Sequence, residues 1–357
     1  MSPLLGYRSE SGRMSNMRED YMDVPAEGVA YNDVLLVPQY SDIRSRTEVS
    51  IASRLGPWEF RLPIIASPMD TVTASPMAAA MDSCGGFGIV HRYDSIDIQC
   101  HHIECLPAET IVGAAIGTSG DYLERATALY DAGARILCVD VAHGHHVLVK
   151  EALRKLRQVF GDGTHLMAGN VATLEGYNDL VDWGADSVRC NIGGGSICST
   201  RTQTGHGVPG LQTIIDCARS QRSAPIIADG GIRNSGDIVK ALAAGADFVM
   251  LGSLLSGTDE TPGAIINTRT GTFKSYRGMA SKDAQLEWRG STASLEGIAT
   301  TVPCKGPVAS VLADLERGIR SGFSYSGARS LPELQGKAKF IRQTVSGQIE
   351  SSTHILR

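Results

Sequence analysis

The sequence predicts an α/β protein whose eight βα units close into a (β/α)8 barrel, the TIM-barrel architecture. Eight short apolar runs of strand type recur along the 357-residue chain, and segments of helical spacing lie between them. The runs carry apolar side chains on both faces, as parallel strands do when helices cover them. Eight such units favour a closed barrel over an open doubly wound sheet. Length alone suggests two domains, but barrels of this size often form one.

The predicted elements follow the chain in order. Strand-like runs occupy residues 62–67, 88–91, 111–116, 136–141, 166–171, 187–192, 225–228 and 248–251. Helices are predicted between them, for example at 121–133 and 237–245. Ser235 is the predicted N-cap of the second of these helices and Gly245 its C-cap, because a hydroxyl satisfies free amide groups and glycine tolerates the terminating turn. A last helix at 308–322 completes the ring.

We expect one catalytic domain with three appendages. Residues 1–28 are polar and lack periodicity, which is typical of a flexible arm, and residues 29–357 form the barrel domain. The segment 271–306 is longer than a connecting loop without a function usually is, and it is interpreted as a polar flap beside the active site. The tail, 345–357, is too polar for a core and is expected to dock on a neighbouring subunit.

Composition excludes several classes of function. A hydrophobic fraction of 42% with 40 glycines describes a well-packed globular chain with many tight turns. The formal net charge of -5 gives no reason to expect nucleic acid as a partner. No apolar run approaches the roughly 18 residues that a membrane span needs, and the polar N-terminus is unlike a signal peptide. We therefore expect a cytoplasmic protein with no membrane partner.

The eight cysteines do not form a disulfide framework in a chain of this length, and none lies in a C-x-x-C pair. Reduced thiols are the economical interpretation. One alternative stays open, a zinc site built from His101, His102 and Cys105.

Polar residues follow the predicted strands at their C-terminal ends, where a (β/α)8 barrel builds its active site. The first strand leads into Ser67 and Met69. The fourth and fifth strands end near Asp140 and Asn170, and the seventh leads into Asp229. These side chains are expected to face one common pocket.

The sixth strand leads into a glycine-rich loop, N-I-G-G-G-S-I-C-S-T, in which Cys198 follows three glycines and is flanked by hydroxyls. Glycines let the backbone turn sharply and approach a ligand or an ion. Since nucleophilic attack needs an accessible thiolate, Cys198 is a candidate nucleophile. A small buried cysteine in a turn is the equally weighted alternative.

Glycine turns also follow the last two strands. Gly231 follows the seventh strand, and Gly252 and Ser253 follow the eighth. Barrels frequently bind phosphate at these two positions through backbone N–H groups. Two such turns on adjacent strands favour a phosphate site, with simple tight turns as the alternative.

Several long blocks, in the same order, resemble the IMP dehydrogenase and GMP reductase family over nearly the whole chain. The blocks are Y-N-D-V-L-L at 31–36, P-M-D-T-V at 68–72, A-G-N-V at 168–171, G-S-I-C-S-T at 195–200, A-D-G-G-I at 228–232 and Y-R-G-M at 276–279. The chain is therefore identified as a member of that family. Membership implies a purine nucleotide substrate, GMP or IMP, and a nicotinamide cofactor.

The resemblance implies roles for individual residues. Cys198 would add to C2 of the purine, with Thr200 and Glu296 as its catalytic partners. The residues that would bind substrate are Asp229 at the ribose, Ser196, Gly231, Gly252, Ser253 and Tyr276 at the 5'-phosphate, and Ser67, Met69, Gly278 and Met279 around the base. The residues on the cofactor side would be Asp140, Asn170 and Arg189.

The resemblance also implies a potassium ion and a homotetramer. The ligands would be carbonyl groups of Gly193, Gly195 and Cys198, together with Glu350, Ser351 and Ser352 from across a subunit contact. A tail that completes a neighbour's site requires such an assembly.

The two activities of the family share Cys198 and Thr200, so those residues do not discriminate between them. The dehydrogenase oxidises IMP to XMP with NAD, and its longer flap usually carries an Arg-Tyr pair that activates water. Here the flap is short and has Trp288 and Arg289 instead. Thr200 with Glu296 resembles the reductase pair that handles ammonia, and the regulatory CBS pair is absent near 98–106. These features favour an NADPH-dependent GMP reductase.

Two features favour the alternative, an IMP dehydrogenase that uses NAD: the G-G-F-G-I-V-H block at 85–91 and the E-S-S sequence at 350–352. A catalytically inactive purine-nucleotide-binding barrel is a second alternative. Two residues depart from the family pattern. Asn191 stands where glycine is usual, and Gly194 stands where proline or serine is common. The geometry of the nicotinamide near Asn191 is therefore open.

Overall fold

The computed structural model describes residues 26–351 and residue 353. Residues 1–25, which make up most of the predicted arm, lie outside this range, as do Ser352 and residues 354–357. In the described part, eight parallel strands close into a barrel. The predicted fold class is confirmed.

Each barrel strand overlaps one predicted run. The strands are β1 (Ile64–Ala66), β2 (Phe87–Val90), β3 (Val112–Ile116), β4 (Ile136–Asp140), β5 (His165–Val171), β6 (Ser187–Cys190), β7 (Ile226–Asp229) and β8 (Phe248–Leu251). Each strand pairs with the next along the chain. The ring closes where β8 pairs with β1, with Met250 opposite Ile65.

An outer ring of helices covers the strands. Its members are α1 (Ser75–Ser83), α2 (Ile96–Glu104), α3 (Tyr122–Asp131), α4 (Val147–Phe160), α5 (Leu174–Asp182), α6 (Gly210–Cys217), α7 (Ser235–Ala243) and α8 (Val308–Tyr325). A shorter helix, Thr200–Thr204, follows the glycine-rich loop, and Leu331–Lys337 follows α8. Because α2 is followed directly by β3, no domain is inserted near 98–106.

The ends of α7 differ from the prediction by one residue. The N-cap is Asn234, whose side-chain oxygen accepts the Asp237 N–H across 2.9 Å. The prediction of Ser235 was wrong because the asparagine before it already satisfies the free amide, which leaves Ser235 as the first helical residue. At the other end Gly245 follows the C-cap, Ala244, with a φ of 116°.

The barrel interior is filled at its N-terminal end. A hairpin of strands Ser53–Leu55 and Trp58–Phe60 inserts Leu55 and Phe60 among inward-facing barrel residues. The ring of Phe60 lies 4.4 Å from that of Phe87 and 5.8 Å from that of Phe248, measured between centroids. Burial of one such ring stabilises the fold by about 1.5–3 kcal/mol. With this end closed by packing, the open mouth is at the C-terminal ends of the strands.

The flap is an ordered unit between β8 and α8. Strands Ile266–Thr268, Gly271–Arg277 and Ala299–Pro303 form an antiparallel sheet, and the flap helix, Lys282–Arg289, lies between the last two. The flap sheet therefore begins at Ile266, before residue 271, where the sequence predicted the flap to start. At the root of the flap, the buried Lys274 Nζ donates to the carbonyl oxygens of Thr258 and Thr261 across 3.0 and 2.8 Å.

The two ends of the described chain meet on the outside of the barrel. Strand Phe340–Arg342 pairs antiparallel with Val34–Leu36, and the C-terminal helix, Val345–Glu350, follows it. Within the described ranges, none of the helices combines the length and apolarity that crossing a bilayer demands.

Candidate active site

The C-terminal mouth of the barrel holds a cavity of about 510 Å³. That volume lies within the range of small-molecule sites. The strand ends supply one side of the lining, for example Ser67 and Asp229. The flap supplies another side through Gly278, Met279 and Glu296. The cavity therefore lies between the barrel mouth and the flap.

The structure places the predicted site residues as follows. Those that line the cavity are Ser67, Met69, Asp140, Asn170, Arg189, Gly193, Gly195, Ser196, Cys198, Thr200, Asp229, Gly231, Gly252, Ser253, Tyr276, Gly278, Met279 and Glu296. Two predicted potassium ligands, Glu350 and Ser351, lie at the end of the C-terminal helix and outside this cavity. The third, Ser352, is not among the described residues.

Cys198 is exposed at the tip of the loop after β6. The loop turns at Gly193, whose φ of 73° lies in the region that favours glycine. The Cys198 N–H donates to the Gly195 carbonyl across 3.1 Å, which fixes the turn. Because the Cys198 side chain is exposed and lines the cavity, the alternative of a buried structural cysteine was wrong.

Three side chains form a hydrogen-bonded relay that starts at the thiol. Cys198 Sγ donates to Thr200 Oγ1 across 3.1 Å, and the Thr200 hydroxyl donates to Glu296 Oε2 across 2.8 Å. The other carboxylate oxygen, Oε1, accepts a hydrogen bond of 2.8 Å from Ser294 Oγ. A nucleophile, a hydroxyl and a carboxylate in such contact can move a proton away from the sulfur.

Backbone pairing holds the flap against the glycine-rich loop. The Ser199 N–H donates to the Glu296 carbonyl across 2.9 Å, and the Ile298 N–H donates to the Ile197 carbonyl across 3.0 Å. Cys198 and Gly297 form an antiparallel bridge between these bonds. The position of the Glu296 carboxylate is therefore set by the backbone as well as by Thr200.

A buried arginine links two carboxylates at the ends of β4 and β7. Arg189 Nη1 donates to Asp140 Oδ1 across 2.5 Å, and its Nη2 donates to Asp229 Oδ2 across 2.8 Å. Burial opposes the charge of the guanidinium, but Asp229 and Asp140 hold the pKa of Arg189 well above its usual value. Arg189 therefore stays charged and orients both carboxylates.

Asp229 has one oxygen committed to the protein and one free. Its Oδ2 accepts hydrogen bonds from Arg189 and, across 2.7 Å, from Asn170 Nδ2. Its Oδ1 accepts no hydrogen bond from any described residue, and Asp229 lines the cavity. A ligand hydroxyl could therefore donate to Oδ1 without displacing a protein contact.

Small residues and hydroxyls meet at the end of β8. A Cβ at Gly252 would lie 3.1 Å from Tyr276 Oη and 3.1 Å from Met69 Sδ, so a side chain there would fill the site. Burial raises the pKa of Tyr276, and hydrogen bonds with the hydroxyls of Ser196 and Ser253 partly oppose the shift. Tyr276 is thus a neutral hydroxyl, and these three hydroxyls form a cradle suited to an anionic group.

The zinc alternative does not assemble as the sequence suggested. Cys105 Sγ lies 3.3 Å from His101 Nε2, whereas His102 Nδ1 lies 3.1 Å from Ser75 Oγ on α1. His102 instead converges with His91 and Asp94. His91 Nδ1 accepts the Tyr93 N–H across 3.3 Å. Metal-bound histidines usually donate from their second nitrogen, so this contact favours a hydrogen bond from His91 Nε2 to Asp94 over a metal.

A second cavity of about 540 Å³ adjoins the first. The residues that line both cavities are Arg92, Tyr93, Val141, Trp288 and Arg289. The far part of the second cavity is polar, with Ser95, Ser119 and Arg125 among its lining residues. Its lining carries both charges, since Arg125 pairs with Asp121 across 2.8 Å and Asp94 lies in the same cavity.

Sequence reasoning missed the aromatic contact between the flap and β2. The rings of Trp288 and Tyr93 meet edge to face with centroids 5.2 Å apart, and the Arg92 guanidinium lies 5.0 Å from the Tyr93 ring centroid. Tyr93 and Trp288 are 195 positions apart in the chain. The one sequence signal for this contact is that Arg92, a charged residue, lies just after the end of β2.

Asp70 and Arg277 were also missed as a pair, although both lie in recognised blocks. Arg277 Nη2 donates to Asp70 Oδ2 across 2.5 Å, and the Arg277 N–H donates to Thr71 Oγ1 across 3.2 Å. These bonds tie the last residue of a flap strand to the loop after β1. The flap is therefore joined to the loop after β1 as well as to the glycine-rich loop.

Comparison with known protein families identifies one match. Residues 28–354 match the family described as IMP dehydrogenase / GMP reductase domain. The chain is 33% identical to an inosine-5'-monophosphate dehydrogenase of Nitrosopumilus maritimus, with 92% of this chain and 98% of that protein covered. It is 32% identical to a GMP reductase of Leishmania major, with 92% and 97% covered.

Two further relatives represent the two activities. An inosine-5'-monophosphate dehydrogenase of Aquifex aeolicus is 48% identical over 68% of this chain and 52% of its own length. A crystal structure of a GMP reductase variant from Trypanosoma brucei, in complex with guanosine 5'-monophosphate, superposes with a TM-score of 0.89. That protein is 31% identical, and the match covers 93% of this chain and 98% of the other.

Proposed function

Since the chain belongs to the IMP dehydrogenase / GMP reductase family of purine nucleotide oxidoreductases, we propose that it is a GMP reductase. The reaction would convert GMP, NADPH and two protons to IMP, NADP⁺ and ammonium. The observation that supports this most is the relay from Cys198 through Thr200 to Glu296. A flap without the Arg-Tyr pair that activates water in dehydrogenases supports it as well.

The nucleotide would bind with its phosphate near the ends of β7 and β8. The groups proposed to hold the phosphate are backbone N–H groups of Gly231, Gly252 and Ser253 and the hydroxyls of Ser196 and Tyr276. The ribose hydroxyls would donate to the free Oδ1 of Asp229. The base would then lie beside Cys198, among Ser67, Met69, Gly278 and Met279 of the β1 loop and flap.

The relay accounts for the first half of the chemistry. As the Cys198 sulfur adds to purine C2, its proton passes through the Thr200 hydroxyl to Glu296. Protonated Glu296 can then supply that proton to the amino group that leaves C2 as ammonia. This leaves a covalent adduct between sulfur and C2. When NADPH is bound it supplies the hydride for C2, and the carbon–sulfur bond breaks to give IMP and free Cys198.

The two adjoining cavities would together take the dinucleotide cofactor. Asp140 and Arg189 would face the nicotinamide end, near Asn170. The second cavity would take the far end of the cofactor, and its lining includes Arg92 and Arg125, which pair with Asp140 and Asp121, and Arg289. Arg289 is exposed on the flap helix beside this cavity, so we propose it as the partner of the additional phosphate that distinguishes NADPH from NADH.

A potassium ion and a tetramer complete the proposal. Carbonyl groups in the glycine-rich loop, at Gly193, Gly195 and Cys198, are neutral oxygen donors, which suit an alkali cation. Glu350 and Ser351 are exposed on their own subunit, and with Ser352 they are the residues proposed to complete the potassium site of a neighbouring copy. The eight cysteines are free, which suits the reducing cytoplasm.

IMP dehydrogenase with NAD is the second candidate. The identity of 48% to the Aquifex aeolicus dehydrogenase favours it, although that match spans 68% of this chain. The two candidates differ in the direction of hydride transfer and in the fate of the adduct. They therefore predict opposite changes in nicotinamide absorbance.

The decisive experiment is an absorbance assay in the nicotinamide band. The purified protein is incubated with GMP plus NADPH and, separately, with IMP plus NAD, each with and without potassium. A reductase consumes NADPH and releases IMP and ammonia in the first mixture. Production of NADH and XMP in the second mixture would establish the dehydrogenase. No turnover in either, with GMP bound, would indicate an inactive nucleotide-binding barrel.

A further inference from the structure

The two residues that depart from the family pattern lie against each other. A Cβ placed on Gly194 would overlap the Asn191 side-chain amide, and it would lie only 2.8 Å from Asn191 Cγ. Asn191 is 4% exposed, and three hydrogen bonds hold its amide. A proline or serine at 194 therefore requires the Asn191 side chain to move out of those bonds. The two departures are sterically linked.

Asn191 also adopts a backbone conformation that side chains rarely take. Its φ is 137°, and no other non-glycine residue in the described part of the chain has a positive φ. Such a conformation persists only where surrounding contacts hold it. Asn191 Nδ2 donates to the carbonyl oxygens of Asp229 and Gly230 across 3.0 and 3.3 Å, and Arg201 Nη2 donates to Asn191 Oδ1 across 3.2 Å. These bonds use both ends of the amide.

The bonds join the two loops on which the proposed nucleotide site depends. The glycine-rich loop lies directly on the loop after β7, since a Cβ at Gly231 would come within 2.9 Å of the Gly194 carbonyl. On the other side, Arg201 Nε donates to Ile192 O across 3.1 Å. Arg201 belongs to the short helix that begins at Thr200. The amide of Asn191 thus links the Asp229 backbone to the element that carries Thr200.

We propose that Asn191 and Gly194 act as one coupled pair of positioning residues, which sets the distance between Cys198 and the Asp229 carboxylate. The pair would therefore control whether a bound nucleotide can contact Asp229 through its ribose and Cys198 through its base at the same time. This inference rests on the proposed nucleotide site.

The test is a double-mutant cycle. The variants are Asn191→Gly, Gly194→Ser and the combination of both. Gly194→Ser alone places a side chain on the Asn191 amide, and Asn191→Gly alone removes the link while leaving a space. In the combination the serine has room. We expect each single variant to raise the KM for GMP about tenfold, and the combination to return to within about threefold of the wild type, a coupling typical of residues in contact.

A fourth variant keeps the inference testable if Gly194→Ser does not fold. Asn191→Asp has the same shape and retains the acceptor for Arg201, but it faces the carbonyl oxygens of Asp229 and Gly230 with an acceptor instead of a donor. We expect it to raise the KM for GMP more than the KM for NADPH. As a control, Asn178→Ala removes the acceptor of a hydrogen bond that Ser220 Oγ donates outside the cavity, and should leave both KM values unchanged.

Readouts that need no turnover separate this inference from the proposed function. The rate at which iodoacetamide alkylates Cys198, and the binding of GMP by calorimetry, are measured for all variants. Non-additive changes in the alkylation rate would support the pair even if the wild type reduced no GMP. The inference is overturned if the effects of the single variants multiply in the combination, or if Asn191→Asp behaves as the wild type.

Discussion

The Thr200 hydroxyl donates to Glu296 Oε2 across 2.8 Å, although 96 positions separate the two residues in the chain. Thr200 stands at the start of a short helix after the glycine-rich loop, and Glu296 stands in the flap. Their contact brings a carboxylate within two hydrogen bonds of the Cys198 sulfur. The proposed proton relay therefore depends on the position of the flap.

Replacing Glu296 with glutamine should impair ammonia release more than nucleotide binding. The amide retains the shape of the carboxylate but cannot carry the proton, and general acid–base groups contribute roughly 10²–10⁴-fold to rates. We expect kcat for GMP reduction to fall about 100-fold with a nearly unchanged KM. Hydride transfer alone, measured as a burst of NADPH from IMP and NADP⁺, should fall less, because it needs the deprotonation of Cys198 but not the protonation of a leaving amino group. The exposed Glu175 on α5 supplies the control, Glu175→Gln, and an equal loss in both reactions would argue against a role of Glu296 in protonating the amino group.

Replacing Cys198 with alanine should abolish turnover and leave nucleotide binding intact. In the proposed mechanism the sulfur bonds to C2, whereas the residues proposed to hold the phosphate and ribose lie on the loops after β6, β7 and β8 and on the flap. Calorimetry should give a dissociation constant for GMP or IMP within about threefold of the wild type, a change below 1 kcal/mol. Cys105→Ala, at another exposed thiol, should retain full activity. Turnover by the Cys198 variant would rule out the covalent mechanism.

Replacing Arg189 with lysine should be far from conservative. A lysine ammonium is a single point charge and cannot reproduce the fork that bonds Asp140 and Asp229 together. Truncating a partner of a buried charge pair costs about 3–5 kcal/mol. We expect kcat/KM to fall at least about 100-fold by steady-state assay, with a lower melting temperature. Arg222→Lys, at an exposed pair with Asp182, should be nearly silent, and similar losses in both variants would contradict the argument.

Replacing Arg289 with alanine should alter the choice of cofactor. If its guanidinium pairs with the additional phosphate of NADPH, the KM for NADPH should rise about tenfold, equivalent to about 1.4 kcal/mol, while the KM for NADH stays near its wild-type value. Steady-state assays with both cofactors measure this ratio. Lys282, an exposed cation at the other end of the flap helix, supplies the control Lys282→Ala. Equal changes for NADPH and NADH would assign Arg289 no role in discrimination.

Asp247 should make the stability of the barrel depend on pH. Burial raises the pKa of Asp247 to about 6 from its ordinary 3.8, although its carboxylate accepts the Ile226 N–H across 2.8 Å. The folded state therefore binds this proton more tightly than the unfolded chain does. The resulting stabilisation is complete below about pH 4 and is lost as the pH rises through about 6.

Asp247→Asn keeps an acceptor for the Ile226 N–H and cannot ionise. It should melt about 1–2 °C above the wild type at pH 8, a change of about 1 kcal/mol for a chain of this length, and the difference should shrink at pH 5. Thermal unfolding followed by circular dichroism at both pH values measures it. Asp247→Ala, which loses the hydrogen bond, should melt lower at both. A constant difference between asparagine variant and wild type would place the pKa of Asp247 near its ordinary value.

Much of the architecture could be predicted because its signals are local. Each barrel strand is short and covered on both faces, so its residues are apolar over a continuous run, as at Phe248–Leu251. Chain turns favour glycine where φ is positive, as at Gly245. The polar residues that follow the strands, such as Cys198 and Asp229, could be assigned to one pocket because parallel strands end at the same edge.

The partners within that pocket were decided by the tertiary structure. The relay joins Thr200 to a flap residue 96 positions away, and the edge-to-face contact joins Trp288 to Tyr93. Neither contact leaves a pattern in the local sequence, because each depends on how the flap folds back over the barrel.

The pair of Asn191 and Gly194 shows the same division at short range. The sequence alone determined the fold class and the position of a thiol after the sixth strand. It also showed that Asn191 and Gly194 are both unusual for the family. Only the three-dimensional arrangement decided that the asparagine side chain occupies the space beside Gly194 and bonds to the Asp229 carbonyl. The physical reason is that a sequence specifies which groups are present and the local backbone they favour, whereas hydrogen bonds and steric overlap depend on distances that the whole fold sets.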